Sequence, residues 1–117
     1  MNTSYRDPFK HYFDAEVRRT TDRSIIARRL LSIIEKTLPS LRPVEKDYGV
    51  VFKHGRRNIV SLFLHRNFIT LKLCRGSYLK DPDGILLGSG RSTRMLRYYT
   101  LEDIDRNQTS YFLNQYK

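Results

Sequence analysis

The pattern of residues 48–74 constrains the fold more than any other part of the sequence. Residues 48–53, 58–65 and 68–74 are three β-branched and aromatic runs of strand length, separated by short turns. They predict an antiparallel meander. If Arg66 and Asn67 form a two-residue hairpin turn, Leu64 lies opposite Ile69, Leu62 opposite Leu71 and Val60 opposite Leu73.

This register predicts two different faces, because successive side chains of a strand point to opposite sides. One face is wholly aliphatic, and we expect helices to cover it. The reverse face carries Ile59, Ser61, Phe63 and His65 against Cys74, Lys72, Thr70 and Phe68. Phe63 and Phe68, together with Tyr98 and Tyr99, have the type of ring that stacks on unpaired bases, although such rings also serve as ordinary packing.

The remaining elements complete an α+β fold. Asp7-Pro8 predicts the start of a first helix with apolar residues from Phe9 to Val17, and Thr21-Asp22 starts a second helix that Pro39 ends. We interpret residues 39–46 as a loop and residues 95–99 as a further strand, followed by a last helix capped at residues 100–103. The predicted order is α-α-β-β-β-loop-β-α, a curved antiparallel sheet packed on helices in one domain spanning residues 1–117.

The charge of the chain is strongly basic. Over 117 residues the formal net charge is +10, and most of the basic residues are arginine, whose planar group suits phosphate and carboxylate. Such a surface attracts polyanions. A lone cysteine and the lack of an apolar leader predict a cytoplasmic location, and no apolar run is long enough for a membrane span. We therefore expect no membrane partner.

A glycine-rich loop at residues 81–94 is the candidate binding site. The meander brings its turn at residues 54–57 and the end of its third strand to one end, and the loop leaves from that end. Backbone amides of a glycine segment can surround an anion. The predicted ligand-binding residues are Arg56, Arg57, Arg75, Gly88, Ser89, Gly90, Arg91 and Arg94.

A structural interpretation of the same loop competes with ligand binding and is favoured over it. The glycines can simply permit tight turns, Asp81 and Asp83 can cap local amides, and Arg94 can pair with a carboxylate. The segment matches neither the phosphate loop of nucleotide hydrolases nor the dinucleotide fingerprint.

No catalytic set or cofactor site can be assembled from the sequence. The histidines are scattered, Cys74 has no base predicted beside it, and the carboxylates of residues 81–83 lie in a turn where capping is their usual role. We expect a non-enzymatic protein that carries no cofactor and no metal site.

Residues 69–94 resemble the YdhG-like domain family of unknown function. In that family a strand leads through a glycine-containing corner to an Asp-Pro-x-Gly turn, two aliphatic residues, Gly-x-Gly, a basic residue and a later arginine. Here the matching residues are Asp81-Pro82, Gly84, Ile85-Leu86, Gly88, Gly90, Arg91 and Arg94. A more diffuse likeness in the two predicted helices extends over most of the chain.

The resemblance implies a small α+β domain and says little about activity. Some relatives have been proposed to act as frataxin-like iron chaperones, a role that requires clustered surface carboxylates. This chain departs from that requirement, since it is basic, has only Asp7, Asp14 and Glu16 in its first helix region, and has Leu87 where relatives commonly have an acid.

Three functional hypotheses follow. The first is a binding module whose loop and arginines engage an anionic small molecule or the acidic surface of a protein partner. The second is nucleic-acid binding through the wider basic surface. The third and weakest is iron handling. The sequence predicts no oligomeric state.

Overall fold

The computed structural model describes residues 21–117, which form a five-stranded antiparallel sheet and three helices. The predicted first helix lies outside the described residues. The helices are α1 (Thr21–Thr37), α2 (Asp103–Arg106) and α3 (Thr109–Asn114), and the strands are β1 (Arg42–Lys46), β2 (Gly49–His54), β3 (Arg57–Leu64), β4 (Ile69–Leu73) and β5 (Arg94–Tyr98). The strands are ordered β1-β2-β3-β4-β5, and the sheet is open. This architecture confirms the α+β class.

The predicted β3–β4 hairpin is confirmed. Leu64 pairs with Ile69, Leu62 with Leu71 and Val60 with Leu73. The turn closes with a 2.9 Å hydrogen bond from the His65 amide to the Phe68 carbonyl, leaving Arg66 and Asn67 as its two central residues. One aliphatic face of the sheet therefore forms as expected.

Helices cover that face. The apolar side chains along one side of α1 are buried against the sheet, and α3 adds Phe112 and Leu113 to the same core. Arg23 of α1 donates hydrogen bonds to the carbonyls of His65, at 2.7 Å, and Arg66, which fixes the helix to the β3–β4 turn. The fully buried large side chains are Ile26, Leu30, Ile34, Phe52, Leu62, Ile69, Leu71, Leu73, Leu96, Tyr98 and Phe112.

The predicted element order is wrong in two places. Part of the expected loop at residues 39–46 is strand β1, which pairs Pro43 with Phe52 and Val44 with Val51. A proline is tolerated there because β1 is an edge strand, where one side of the backbone needs no partner. The described order is therefore α-β-β-β-β-loop-β-α-α.

The second correction concerns the last helix. It is two short helices, since Gln108 adopts a left-handed conformation (φ 52°) between α2 and α3. At the start of α2, the Asp103 carboxylate accepts hydrogen bonds from the backbone amides of Tyr99 (2.7 Å) and Thr100 (3.0 Å), which precede the helix. Burial raises the pKa of Asp103, but these two bonds and the nearby Arg106 outweigh it and hold the pKa below its usual value.

Within residues 21–117, no helix has both the length and the apolar character needed to span a membrane.

Gly49 tests the β2–β3 pairing. Its φ is +156°, and a Cβ added there would lie 1.8 Å from the Leu62 carbonyl oxygen, which belongs to the central strand and cannot move aside. We expect Gly49→Ala to reduce the free energy of unfolding by at least about 3 kcal/mol, the upper end for ordinary overpacking, as measured by urea denaturation.

Gly90→Ala is the matched control. A Cβ at Gly90 meets no atom within 4 Å, so the change should stay below about 0.5 kcal/mol. Equal stability of the two variants would contradict the observed approach of β2 to β3.

Candidate functional site

The start of the loop at residues 81–94 is held by its own acidic residues. The two carboxylate oxygens of Asp81 accept the amides of Ile85 at 2.8 Å and Leu86 at 2.9 Å. Asp83 accepts a 2.7 Å hydrogen bond from the Gln108 side chain, which connects the loop to the α2–α3 junction. The capping role in the structural interpretation is therefore confirmed for Asp81.

Arg94 is built into the loop. Its Nη1 donates to the carbonyls of Gly90 (2.7 Å) and Thr93 (2.8 Å), rather than to a carboxylate. Its stem packs so closely that a Cβ on Gly76 would lie 2.7 Å from Arg94 Cβ, and one on Gly88 would lie 3.4 Å from Arg94 Cδ. Gly76 is needed because the arginine passes too close to its backbone for a Cβ, whereas the approach at Gly88 is an ordinary contact and its φ of 121° is what favours glycine there. Part of the donor capacity of Arg94 is thus used inside the protein.

The strand register brings the other predicted arginines to one end of the sheet. Arg56 and Arg57 lie at the β2–β3 turn, and Arg75 follows β4, whose last residue Leu73 pairs with Val60 on β3 and with Arg94 on β5. The 3-10 turn Gly76–Tyr78 fastens the loop beside them, since the Ser77 amide donates to the Ser92 carbonyl (2.8 Å) and the Ser77 hydroxyl to the Arg91 carbonyl (3.0 Å).

We call this group the arginine end, defined by four residues: Arg56, Arg57, Arg75 and Arg91. All four side chains are exposed, and within residues 21–117 no carboxylate pairs with any of them. Gly88, Ser89 and Gly90 are exposed beside Arg91. The arrangement concentrates positive charge next to loop backbone, but it encloses no cavity among those found in the described part of the chain.

A second surface combines aromatic rings with cations on the reverse side of the sheet. Tyr48 lies 5.2 Å from Phe63, His65 stacks on Phe68 at 4.4 Å, and Tyr99 lies 5.3 Å from Phe68. Lys72 Nζ is 6.0 Å from the Phe63 centroid, and Arg97 Cζ is 5.3 Å from that of Phe68. We call this surface the aromatic face, defined by Tyr48, Phe63, His65, Phe68, Lys72, Arg97 and Tyr99.

The aromatic face is open to solvent along its margins. Tyr99 is 56% exposed and Tyr48 47% exposed, and His65 and Arg97 are exposed as well. The small side chains Ser61 and Thr70, which lie between the rings on β3 and β4, are buried. The larger side chains therefore form the accessible surface.

The charge on this side of the sheet is positive. The register places Arg42, Lys46 and Lys53 on the same side as Lys72 and Arg97. The described strands place no acidic residue there, because Glu45 pairs with Val50 on the core side. Lys72 and Arg97 lie over the rings of Phe63 and Phe68, where each cation is attracted to the ring and places positive charge on this face.

The pKa of His65 is affected by its surroundings on this face. Partial burial, and then the positive charge of Arg97, lower its pKa below the usual value. Its imidazole is therefore mostly neutral at physiological pH and presents a flat ring stacked on Phe68.

The structure corrects two predictions for this side of the sheet, namely Tyr98 as a ring available for stacking and Ile59 as a member of the reverse face. Tyr98 is fully buried, and its hydroxyl lies 2.8 Å from Thr109 Oγ1. Ile59 packs against the core, next to a register shift opposite Phe52 and Lys53. Sequence reasoning missed Tyr48 and Arg97. The pairing of Arg97 with Thr70 was obtainable only with the register of β5, which a long loop separates from β4.

Residues 21–117 contain no cluster of side chains that could hold a metal ion. No three His, Cys, Asp or Glu side chains there are placed to hold a metal ion. A cavity of about 460 Å³ lies among Leu38, Leu41, His54, Ile59 and Tyr116, but no hydrogen bond joins His54 to a hydroxyl group within the described residues. Burial raises the pKa of Tyr116, whose hydroxyl donates to the Cys74 carbonyl at 2.6 Å.

Comparisons with known proteins find no matching family model, no similar curated protein and no similar solved structure. The YdhG-like resemblance stays a prediction.

Arg94 and Arg91 allow a test of which arginine supports the loop. Arg94→Ala removes two hydrogen bonds to a charged donor and the stem that packs on Gly76 and Gly88, so we expect about 2 kcal/mol lower stability in thermal denaturation. Arg91→Ala removes an exposed side chain that has no hydrogen-bond or ion-pair partner among residues 21–117, so it should change stability by less than about 0.5 kcal/mol. The reverse ranking would show that Arg94 does not hold the loop.

Proposed function

We propose that this protein is a non-enzymatic binding module for an anionic ligand, and that the ligand is single-stranded nucleic acid. The observation that carries the proposal is the aromatic face, where exposed Tyr48, Tyr99 and His65 lie beside the half-buried rings of Phe63 and Phe68, among cations that no acidic residue of the described strands opposes. Aromatic rings stack on bases, and lysine and arginine neutralise the phosphates between them.

The arrangement favours a single strand over a duplex. The exposed rings of Tyr48 and Tyr99 can stack only on bases whose faces are free, and a paired duplex keeps those faces covered. A duplex would instead meet the positive charge without using the rings. The position of the rings between the cations therefore matches a strand whose bases face the protein.

Stacking and charge contribute to the binding free energy in different ways. Each base stacked on an aromatic side chain contributes about 1–3 kcal/mol. Each phosphate neutralised on a single strand releases counterions, which gives a slope of about −0.7 in the logarithm of the binding constant against the logarithm of salt concentration. Five cations on the reverse side supply a salt-dependent part, and the rings supply a part that persists at high salt.

The predicted loop site enters this proposal as part of the positive surface. Arg94 already donates to Gly90 and Thr93, which weakens the case for a separate small-anion site centred on it. An acidic protein surface is the competing occupant of the aromatic face. It would use the cations and leave the dependence on individual rings small.

Exposed tyrosines provide a matched test. Tyr99→Ala should weaken binding of a fluorescent oligothymidylate about tenfold, the equivalent of one lost base stack, in anisotropy titrations. Tyr111→Ala removes a similarly exposed tyrosine from α3, on the helical side of the molecule, and should leave the affinity unchanged.

The contribution of the cations can be tested in the same assay with a matched control. Arg97→Gln should reduce the salt slope, whereas Arg29→Gln on the exposed side of α1 should not. Oligothymidylate that fails to bind, or binding that is indifferent to Tyr99, would reject the aromatic face as a nucleic-acid site. In either case an acidic protein would be the better occupant to test.

The lowered pKa of His65 gives a pH dependence. Protonation adds a positive charge to the aromatic face, so oligothymidylate affinity should rise as pH falls below about 6.5, where His65 begins to be charged. The gain should be at most about fivefold, the value of one exposed ion pair. It should vanish in His65→Gln and persist in His54→Gln, which alters an exposed histidine at the β2–β3 turn. A gain unaffected by His65→Gln would assign the titration to another group.

A further inference from the structure

Among the large hydrophobic residues of the described part of the chain, Tyr78 is the most exposed, and it lies three residues after Arg75 of the arginine end. Its side chain is 73% exposed, and Arg75 Cζ lies 5.3 Å from its ring centroid. Arg75 adopts a left-handed conformation (φ 58°, ψ 27°) at the start of the 3-10 turn. A non-glycine residue in this region is uncommon. The corner thus presents a ring and a guanidinium together at the surface.

The geometry points to this pair as a second stacking site for the same nucleic-acid strand. We infer that a strand bound on the aromatic face continues past the end of β4, stacks a base on Tyr78, and places its phosphates on the arginine end. This inference rests on the proposed function. It adds the direction in which the nucleic-acid strand runs, the minimum length of strand that reaches both sites, and a role for the predicted loop.

The distance between the two sites sets the length. Phe68 precedes β4 and Arg75 follows it, so at the rise of an extended strand they are separated by roughly 20 Å along the sheet. A ligand of two or three nucleotides occupies one site, whereas a longer strand reaches both. A strand that reaches both sites binds more tightly than a strand that reaches one, because after the first site is occupied the second site is filled by the same molecule.

Charge complementarity supports the same path. The four guanidinium groups of the arginine end have no carboxylate partner in the part of the chain that the structure describes. The exposed residues Gly88, Ser89 and Gly90 lie beside Arg91, and backbone amides of such a segment can bind a phosphate. A phosphodiester chain leaving the aromatic face therefore meets positive charge rather than an apolar or acidic surface.

A length series separates this inference from the proposed function. With a trithymidylate and a decathymidylate at one salt concentration, Tyr99→Ala should weaken binding of both. Tyr78→Ala should weaken the decamer about tenfold, the equivalent of one lost stack, and leave the trimer unchanged. Tyr111→Ala is again the control for loss of an exposed tyrosine.

The salt dependence gives a second readout at the same site. The double variant Arg57→Gln with Arg91→Gln should reduce the salt slope of decamer binding by roughly 1.4, two phosphate contacts at about 0.7 each, without changing that of the trimer. Neither substitution removes a hydrogen bond found in the structure.

The possible failures are distinguishable. If the wild-type protein binds neither oligonucleotide, the proposed function fails and this inference falls with it. If both oligonucleotides bind and Tyr99 matters, but Tyr78→Ala has the same effect on the trimer as on the decamer or no effect on either, then only the second stacking site is overturned.

Discussion

The register between β3 and β4 is the constraint on which the rest of the molecule depends. Side chains alternate along a strand, so a slip of one residue would move Leu62 and Leu71 to solvent and bring Phe63 and Lys72 into the core. The cost of burying the Lys72 charge without a partner makes that slip strongly unfavourable. The same two-residue turn that builds the core therefore also determines which rings and cations reach the aromatic face.

The sequence was sufficient for this part of the fold because the signal is local. A two-residue turn between two apolar runs fixes the pairing of Val60, Leu62 and Leu64 without knowledge of the rest of the chain. The helix α1 was predictable for a similar reason, since its apolar stripe and Pro39 mark its face and its end. Strand β1 was missed because Pro43 gives the pattern of a loop, and only its place at the sheet edge makes a proline acceptable.

The candidate site was less predictable because it depends on contacts between distant segments. Tyr98 and Tyr99 are adjacent, and which of them enters the core depends on the register of β5, which is set by the pairing of Leu71 with Leu96. The sequence of the loop predicted where Arg91 and Arg94 lie, but it could not predict which of the two side chains is exposed and which is hydrogen-bonded within the loop. Arg94 donates hydrogen bonds to the carbonyls of Gly90 and Thr93, whereas Arg91 is exposed. Such a division is decided by the path of the loop, which composition does not specify.

The chemistry of the aromatic face also bears on selectivity among nucleic acids. Its members include no amide and no carboxylate side chain, the groups that typically read the edges of adenine and cytosine. Stacking on Tyr48 or Tyr99 is available to every base, and the cations contact the phosphates that all sequences share. A surface of this composition discriminates mainly between paired and unpaired strands, because only unpaired bases expose the ring faces on which the tyrosine and phenylalanine side chains act.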